Sequence, residues 1–224
     1  MSIQHWPLME RPREKLLNLG VETLSDAELL AIMIGKGLNG KCAVTVAREL
    51  LSKFGSIRGV MTASKSQVCA IAGVGEVKFC LLKAAVELVT RQLGEPLKVR
   101  ESFNHAEHVK RYLLAKLKDQ QSEQFGLLLL DSQHQMLAYK VMFKGTINSA
   151  AVYPREIVKQ VIEDNAAAVI LVHNHPSGIA EPSDADVRIT RQIKSALELI
   201  DVAVLDHIIV ADIHTTSFAQ RGII

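Results

Sequence analysis

Apolar residues are spread along the chain in two ways. Between 25 and 93 they lie in helix-length segments parted by glycines, and from 123 onward several collect into short unbroken runs. Ser25-Asp-Ala-Glu28 has the form of a capping box and precedes the apolar run Leu29 to Ile34, which predicts a helix. Gly35-Lys-Gly37 then predicts a turn, with a helix following through Leu51. The plan recurs downstream. Ser64-Lys-Ser-Gln67 suits a short capped helix, Gly73-Val-Gly75 a turn, and about Glu76 to Arg91 a further helix. A shift of 38 residues aligns Gly35 with Gly73, Gly37 with Gly75, Cys42 with Cys80, Ala47 with Ala85, Glu49 with Glu87 and Leu50 with Leu88. Two copies of a helix–Gly-x-Gly–helix unit are therefore expected. Glycines at such turns allow close backbone approach, and the N–H groups of a following helix start can hold a phosphate.

Leu93-Gly-Glu-Pro96 breaks the helical pattern. A linker is expected at about 94–104, dividing a helical domain at 1–96 from a second domain at 102–224. The second half predicts a helix from His105 to Lys118, with Val109, Leu113, Leu114 and Leu117 on one face. The run Gln124-Phe-Gly-Leu-Leu-Leu-Leu130 has the continuous apolarity of a strand covered on both sides. A turn at Asp131 to His134 leads to a second strand, about Met136 to Phe143. Pro154 opens a helix ending near Asn165. Ala167 to His173 is a buried strand, Ser183 to about Ile200 a helix, and Val202 to Val210 a last strand. Strands interleaved with helices make this an α/β layered domain.

Composition agrees with a folded globular chain: 224 residues, 48% apolar and 22% charged. The net charge of +2 hides an asymmetry. Residues 1–100 hold 14 Lys/Arg against 9 Asp/Glu, and residues 101–224 hold 12 against 15. A basic half joined to an acidic half suggests modules with different partners, and the modest excess allows a polyanion without demanding one. Cys42, Cys69 and Cys80 form no Cys-x-x-Cys pair. Their odd number argues against a disulfide framework and for inert thiols in a reducing compartment. Met1 to Leu17 is charged, with no apolar core of a signal peptide. No apolar run approaches the roughly 20 residues that span a bilayer, so the expectation is a cytoplasmic protein with no membrane partner.

The segment richest in chemistry is His173-Asn-His175-Pro176, then six residues, then Ser183-Asp-Ala-Asp186. Alternate side chains of an extended chain share a face, so His173 and His175 point the same way where the strand runs out. Pro176, Gly178 and Pro182 bend the chain back, Ser183 can cap the next helix, and Asp186 falls in its first turn. A His-x-His pair alone is usually two unremarkable histidines, and Ser-x-x-Asp alone is a helix cap. All five fixed residues at fixed spacing arise by chance in roughly one chain in 10⁵, which favours a joint purpose. Two imidazoles and a carboxylate suit one Zn²⁺ and leave a fourth position open, as in catalytic rather than structural sites. Zinc brings the pKa of water there to about 7. His207, beside Asp206 in a strand, is read as a core histidine or a support behind a ligand. His134 lies in a turn, and His5, His105, His108 and His214 show no ligand spacing.

This motif resembles that of the JAB/MPN-type metalloenzymes, zinc peptidases and isopeptidases. His-Asn-His-Pro-Ser-Gly is similar to the RadC branch in particular. Arg11-Pro-Arg-Glu-Lys-Leu-Leu17, Leu24-Ser-Asp-Ala-Glu-Leu-Leu30 and Leu205-Asp-His-Ile-Ile209 extend the likeness over nearly the whole chain. The stretches Leu50-Leu-Ser-Lys-Phe-Gly-Ser-Ile57 and Ile71-Ala-Gly-Val-Gly75 resemble tandem helix-hairpin-helix domains. The resemblance implies a JAB1/MPN domain, an α/β fold layered like cytidine deaminase, behind a small all-α domain. It implies sequence-independent contact with DNA backbone at Gly35, Gly37, Gly73 and Gly75, with Lys36, Lys41 and Lys78 as nearby cations. It also implies a glutamate base at the start of the first core strand, the place of Glu123, and a serine that steadies an oxyanion, the place of Ser183. Glu156 is the other candidate base, although an acid beside Arg155 in a first helical turn is favoured in any case. Asn174 stands where isopeptidases commonly have serine, which puts a ubiquitin-type substrate in doubt.

Two functions stay open on this reading. One is a zinc-dependent metallopeptidase-like hydrolase acting on an amide or isopeptide bond of a protein or peptide. The other is a DNA-binding accessory protein whose zinc is structural or vestigial. Attack on phosphodiesters is the weaker third choice, since such sites often use two metals and the motif holds one. Neither the substrate nor the oligomeric state is written in the motifs.

Overall fold

A computed structural model describes residues 3–98, 105–145 and 152–224. Residues 99–104 of the expected linker, and the second domain's expected start at 102, lie outside the described residues. The chain forms two compact units, Met1–Val89 and Thr90–Ile224.

In the first unit, helices α1 (Pro12–Leu19), α2 (Asp26–Ile34), α3 (Ala43–Phe54), α4 (Ile57–Thr62) and α5 (Lys65–Cys69) precede α6 (Glu76–Gly94), whose last turn passes into the second unit. Both predicted capping boxes form, Ser25 with Glu28 and Ser64 with Gln67. Each satisfies donors that a helix start leaves without partners. Leu30, Ile34, Val46, Ala47, Leu50, Val68 and Leu82 fill one core. The three cysteines are free.

The expected repeat is only partly realised. Gly73-Val-Gly75 leads straight into α6, as predicted. Gly35-Lys-Gly37 does not lead straight into α3, which begins at Ala43. Leu38 and Lys41 instead exchange backbone hydrogen bonds of 3.0 and 2.9 Å around Asn39-Gly40. Asn-Gly is the dipeptide of tight two-residue turns, and Gly40 has φ +83°. A Cβ on Gly37 would lie 2.1 Å from the Lys41 carbonyl oxygen, so this glycine serves a chain folding back on itself. Cys42 thus caps α3 whereas Cys80 lies inside α6. The 38-residue register does not superpose one helix start on the other.

The second unit holds one mixed sheet in the order β2-β1-β3-β4-β5. Its strands are β1 (Gln124–Leu130), β2 (Met136–Lys144), β3 (Ala168–Asn174), β4 (Ala203–Ala211) and β5 (His214–Ser217). β1 runs antiparallel to β2 and β3, β3 parallel to β4, and β4 antiparallel to β5. β1 and β3 are buried at every residue, which is why their sequences are unbroken apolar runs. Helix α7 (His105–Leu117) covers Leu128, Leu130, Ile170, Val172 and Ile208 on one face. Helices α8 (Pro154–Glu163) and α9 (Asp184–Glu198) cover Phe125, Leu127, Leu129, Val169 and Leu171 on the other. Alternation along β3 (Ile170 and Val172 one way, Val169 and Leu171 the other) turns His173 toward the α8–α9 side. Among the described residues no helix is long and apolar enough to cross a membrane.

Candidate metal centre

His173 lies near the end of β3, opposite Phe125 of β1 and Ile209 of β4, and is 0% exposed. The chain stays extended for one residue more, since the His175 N–H donates to the Val210 carbonyl at 2.8 Å. It then turns: the Gly178 N–H donates to the His175 carbonyl at 3.1 Å, with Gly178 at φ +80°. Glu181 in the returning segment is held by Arg221. Ser183 then caps α9 and fixes the third ligand candidate in doing so. Its N–H and Oγ donate to Asp186 Oδ2 at 2.8 and 2.7 Å, and the Asp186 N–H donates back to Ser183 Oγ at 3.2 Å. The capping box therefore does more than start a helix. It aims a buried carboxylate at the end of β3.

Three donor atoms converge there. His173 Nε2 lies 2.8 Å from His175 Nε2 and 3.3 Å from Asp186 Oδ1, and His175 Nε2 lies 3.8 Å from Asp186 Oδ2. Among the described residues these three form the one cluster spaced to hold a metal ion, all ligand atoms lying within 4.8 Å of one another. His175 Nδ1 is 2.7 Å from the Ile179 carbonyl. A carbonyl only accepts, so Nδ1 carries the proton and Nε2 presents its lone pair. Two imidazole nitrogens and a carboxylate oxygen gathered on one point fit a cation, and the nitrogen–nitrogen–oxygen set fits zinc.

The charge states agree with that fit. Burial pushes His173 toward its neutral form, and Asp186 offsets this only in part. Burial alone would raise the Asp186 pKa, but the His173 imidazole beside it and the Ser183 hydrogen bonds more than reverse this and hold the carboxyl below its usual range. A neutral His173 and an ionised Asp186 are the forms that bind metal.

Glu123 immediately precedes β1, is half-buried, and its charge is felt at His173. Asn174 braces its backbone from both sides, accepting from the Gln124 N–H at 2.8 Å and donating to the Ser122 carbonyl at 3.1 Å. Ser183 gives its one hydroxyl proton to Asp186. The oxyanion role implied by resemblance would require that proton to turn away, and in this arrangement Ser183 holds a ligand. Glu156 sits in the first turn of α8 beside Arg155 at 3.3 Å. No described interaction links it to the imidazoles. In the first unit, Lys78 Nζ donates to the Lys36 carbonyl and, at 2.6 Å, to that of Gly73, while Lys41 pairs with Glu49 at 2.6 Å. These two cations are engaged by the protein itself. Gly35 and Gly37 line a concavity at the start of α3 together with Lys36 and Lys41. Gly73 packs against Leu38, and a Cβ on Gly75 would meet open space.

Two residues behind the ligands escape the motif. His207 of β4, 0% exposed, lies with Nε2 2.8 Å from His173 Nδ1 and Nδ1 2.6 Å from Thr190 Oγ1. Burial first, and then the neighbouring His173 imidazole, hold its pKa well below the usual histidine value. Thr190 Oγ1 donates to the Asp186 carbonyl at 2.5 Å. The available signals were position only: Thr190 stands four residues after Asp186 on one helix, and His207 two residues before Ile209, the neighbour of His173.

Comparison with known proteins finds relatives over the whole chain. The RadC-like JAB domain family matches residues 103–223, and the UPF0758 N-terminal family matches residues 3–80. The chain is 58% identical to a UPF0758 protein of Alteromonas mediterranea and 55% identical to one of Pseudoalteromonas atlantica, in both cases over 100% of each chain. It is 53% identical to one of Shewanella halifaxensis over 99% of each.

Proposed function

The chain belongs to the RadC-like JAB domain family, and from that premise we propose that it is a zinc-dependent hydrolase that cleaves an amide or isopeptide bond. The observation that carries the reading is the convergence of His173 Nε2, His175 Nε2 and an Asp186 carboxylate oxygen on one point. Zinc held by His173, His175 and Asp186 would supply Lewis acidity toward water and a substrate carbonyl. The protein's own groups do the rest. Ser183 keeps Asp186 ionised and aimed. Glu123, braced by Asn174, takes a proton from the attacking water and returns it to the leaving nitrogen, as general base and then acid.

Metal analysis joined to a peptide and isopeptide library tests this. His173→Ala should empty the site of zinc. Glu123→Gln should keep zinc while slowing turnover by about 10²–10⁴. Folded protein that takes up no zinc when offered it contradicts the proposal.

One feature of the first unit favours a second activity alongside the first. The concavity at the start of α3, lined by Gly35, Lys36, Gly37 and Lys41, suits a phosphate backbone. Duplex DNA should then be retarded with a steep salt dependence, and no retardation at low salt rules this activity out.

A further inference from the structure

We infer that Thr190 and His207 decide which nitrogen of His173 carries the proton, and thereby keep the His173 Nε2 lone pair facing the metal position. The inference rests on the metal reading above but concerns a different property, the direction of a proton chain.

The chain starts at a group that cannot donate. The Asp186 carbonyl lies 2.5 Å from Thr190 Oγ1. Two oxygens that close need a proton between them, and only the hydroxyl has one. That proton spent, Thr190 Oγ1 can only accept from His207 Nδ1 at 2.6 Å. The His207 proton therefore sits on Nδ1, and its Nε2 is an acceptor. Across 2.8 Å it faces His173 Nδ1, which must be the donor. A neutral His173 then has no proton on Nε2, the atom beside His175 Nε2 and Asp186 Oδ1. The reverse direction would need a doubly protonated His207. Full burial against the Phe125 and Phe218 rings opposes that charge.

Thr190 and His207 are positioning residues: neither reaches the metal position, and both act through His173. A hydrogen bond to the far nitrogen of a ligating imidazole fixes its tautomer, and losing such a partner commonly costs 10- to 100-fold in metal affinity. The Asp186 residue is enlisted twice, its carboxylate as ligand and its carbonyl as the origin of the chain.

The test uses the full-length chain labelled with ¹⁵N-histidine. In the metal-free wild type, long-range ¹H–¹⁵N spectra should show both His173 and His207 protonated at Nδ1. A His173 protonated at Nε2 overturns the inference without any variant having to fold. Zinc titration of variants gives the second arm. His207→Leu and Thr190→Val should weaken zinc binding about 10- to 100-fold. His207→Gln should recover part of the loss, because its amide can accept from His173 and donate to Thr190. Wild-type affinity in folded His207→Leu overturns the inference and leaves the metal site standing. A wild type that binds no zinc removes the metal site, while the spectra still decide the proton chain.

Discussion

Two imidazole nitrogens 2.8 Å apart, each presenting a lone pair, repel one another unless something positive lies between them. The cost of holding them so is met by the sheet and by the capping box, and it appears in the response to pH. Burial lowers the folded-state pKa of His173 and His207, so below about 6.5 the unfolded chain binds protons that the native one refuses. Stability of the metal-free protein should fall as pH drops through that value. A further loss should follow below 3.8, where the unfolded chain protonates Asp186 while the native carboxyl, its pKa depressed, stays ionised. Urea melts between pH 8 and 3 check the sign, and stability that rises toward pH 5 contradicts it. Asn174 gives a prediction of another kind. Replacing it with alanine leaves the buried Gln124 N–H without its acceptor, at a cost of about 1–3 kcal/mol. The two histidines and Asp186 were legible in the sequence because strand alternation and a helix cap are local rules. His207 was legible only as a core or supporting histidine, because which ligand it backs depends on β4 lying beside β3, and Thr190 was not legible at all, because its partner His207 lies on another element.

At the level of elements, the sequence patterns succeeded where one rule dominated. β1 and β3 are buried throughout and announce themselves as apolar runs, and the capping boxes fixed the starts of α2, α5 and α9. β5 is His-Thr-Thr-Ser, short and polar, and pairs with β4 alone. Nothing in those four residues points to a strand. Helix α4, six residues long, depends on Gly55 in the left-handed region and on Ser56 as its cap. The two Gly-x-Gly sites share residue identity but not purpose: Gly37 makes room for the Lys41 carbonyl, whereas Gly75 meets open space. Gly35 and Gly37 belong to an eight-residue connection whose Asn39-Gly40 turn was the overlooked signal. Gly126 shows the same constraint inside a strand. A Cβ there would lie 2.8 Å from Tyr139 Oη and 2.9 Å from the Lys140 carbonyl. Gly126→Ala should destabilise the second unit by about 1–3 kcal/mol through overpacking. Calorimetry finding an unchanged melting temperature would refute that fit.

For the whole molecule, the division of labour follows from what each unit can build. The first is helical and carries the basic excess, and the second surrounds a sheet whose end presents the metal position. The second unit has apolar cores on both faces of its sheet. Its fold therefore does not depend on the ion as a zinc finger's does. A chelator should abolish hydrolysis and lower the melting temperature only by the binding energy lost, with far-ultraviolet circular dichroism unchanged. Wholesale unfolding on chelation would shift the reading to structural zinc and to the accessory role.

Zinc K-edge X-ray absorption on the reconstituted full-length protein addresses the centre itself. The account predicts two imidazole nitrogens at about 2.0–2.1 Å, the remaining neighbours oxygen, and no sulfur. Loss of one imidazole's scattering should accompany His173→Ala. A shell containing sulfur near 2.3 Å, or one unaltered by His173→Ala, would contradict it.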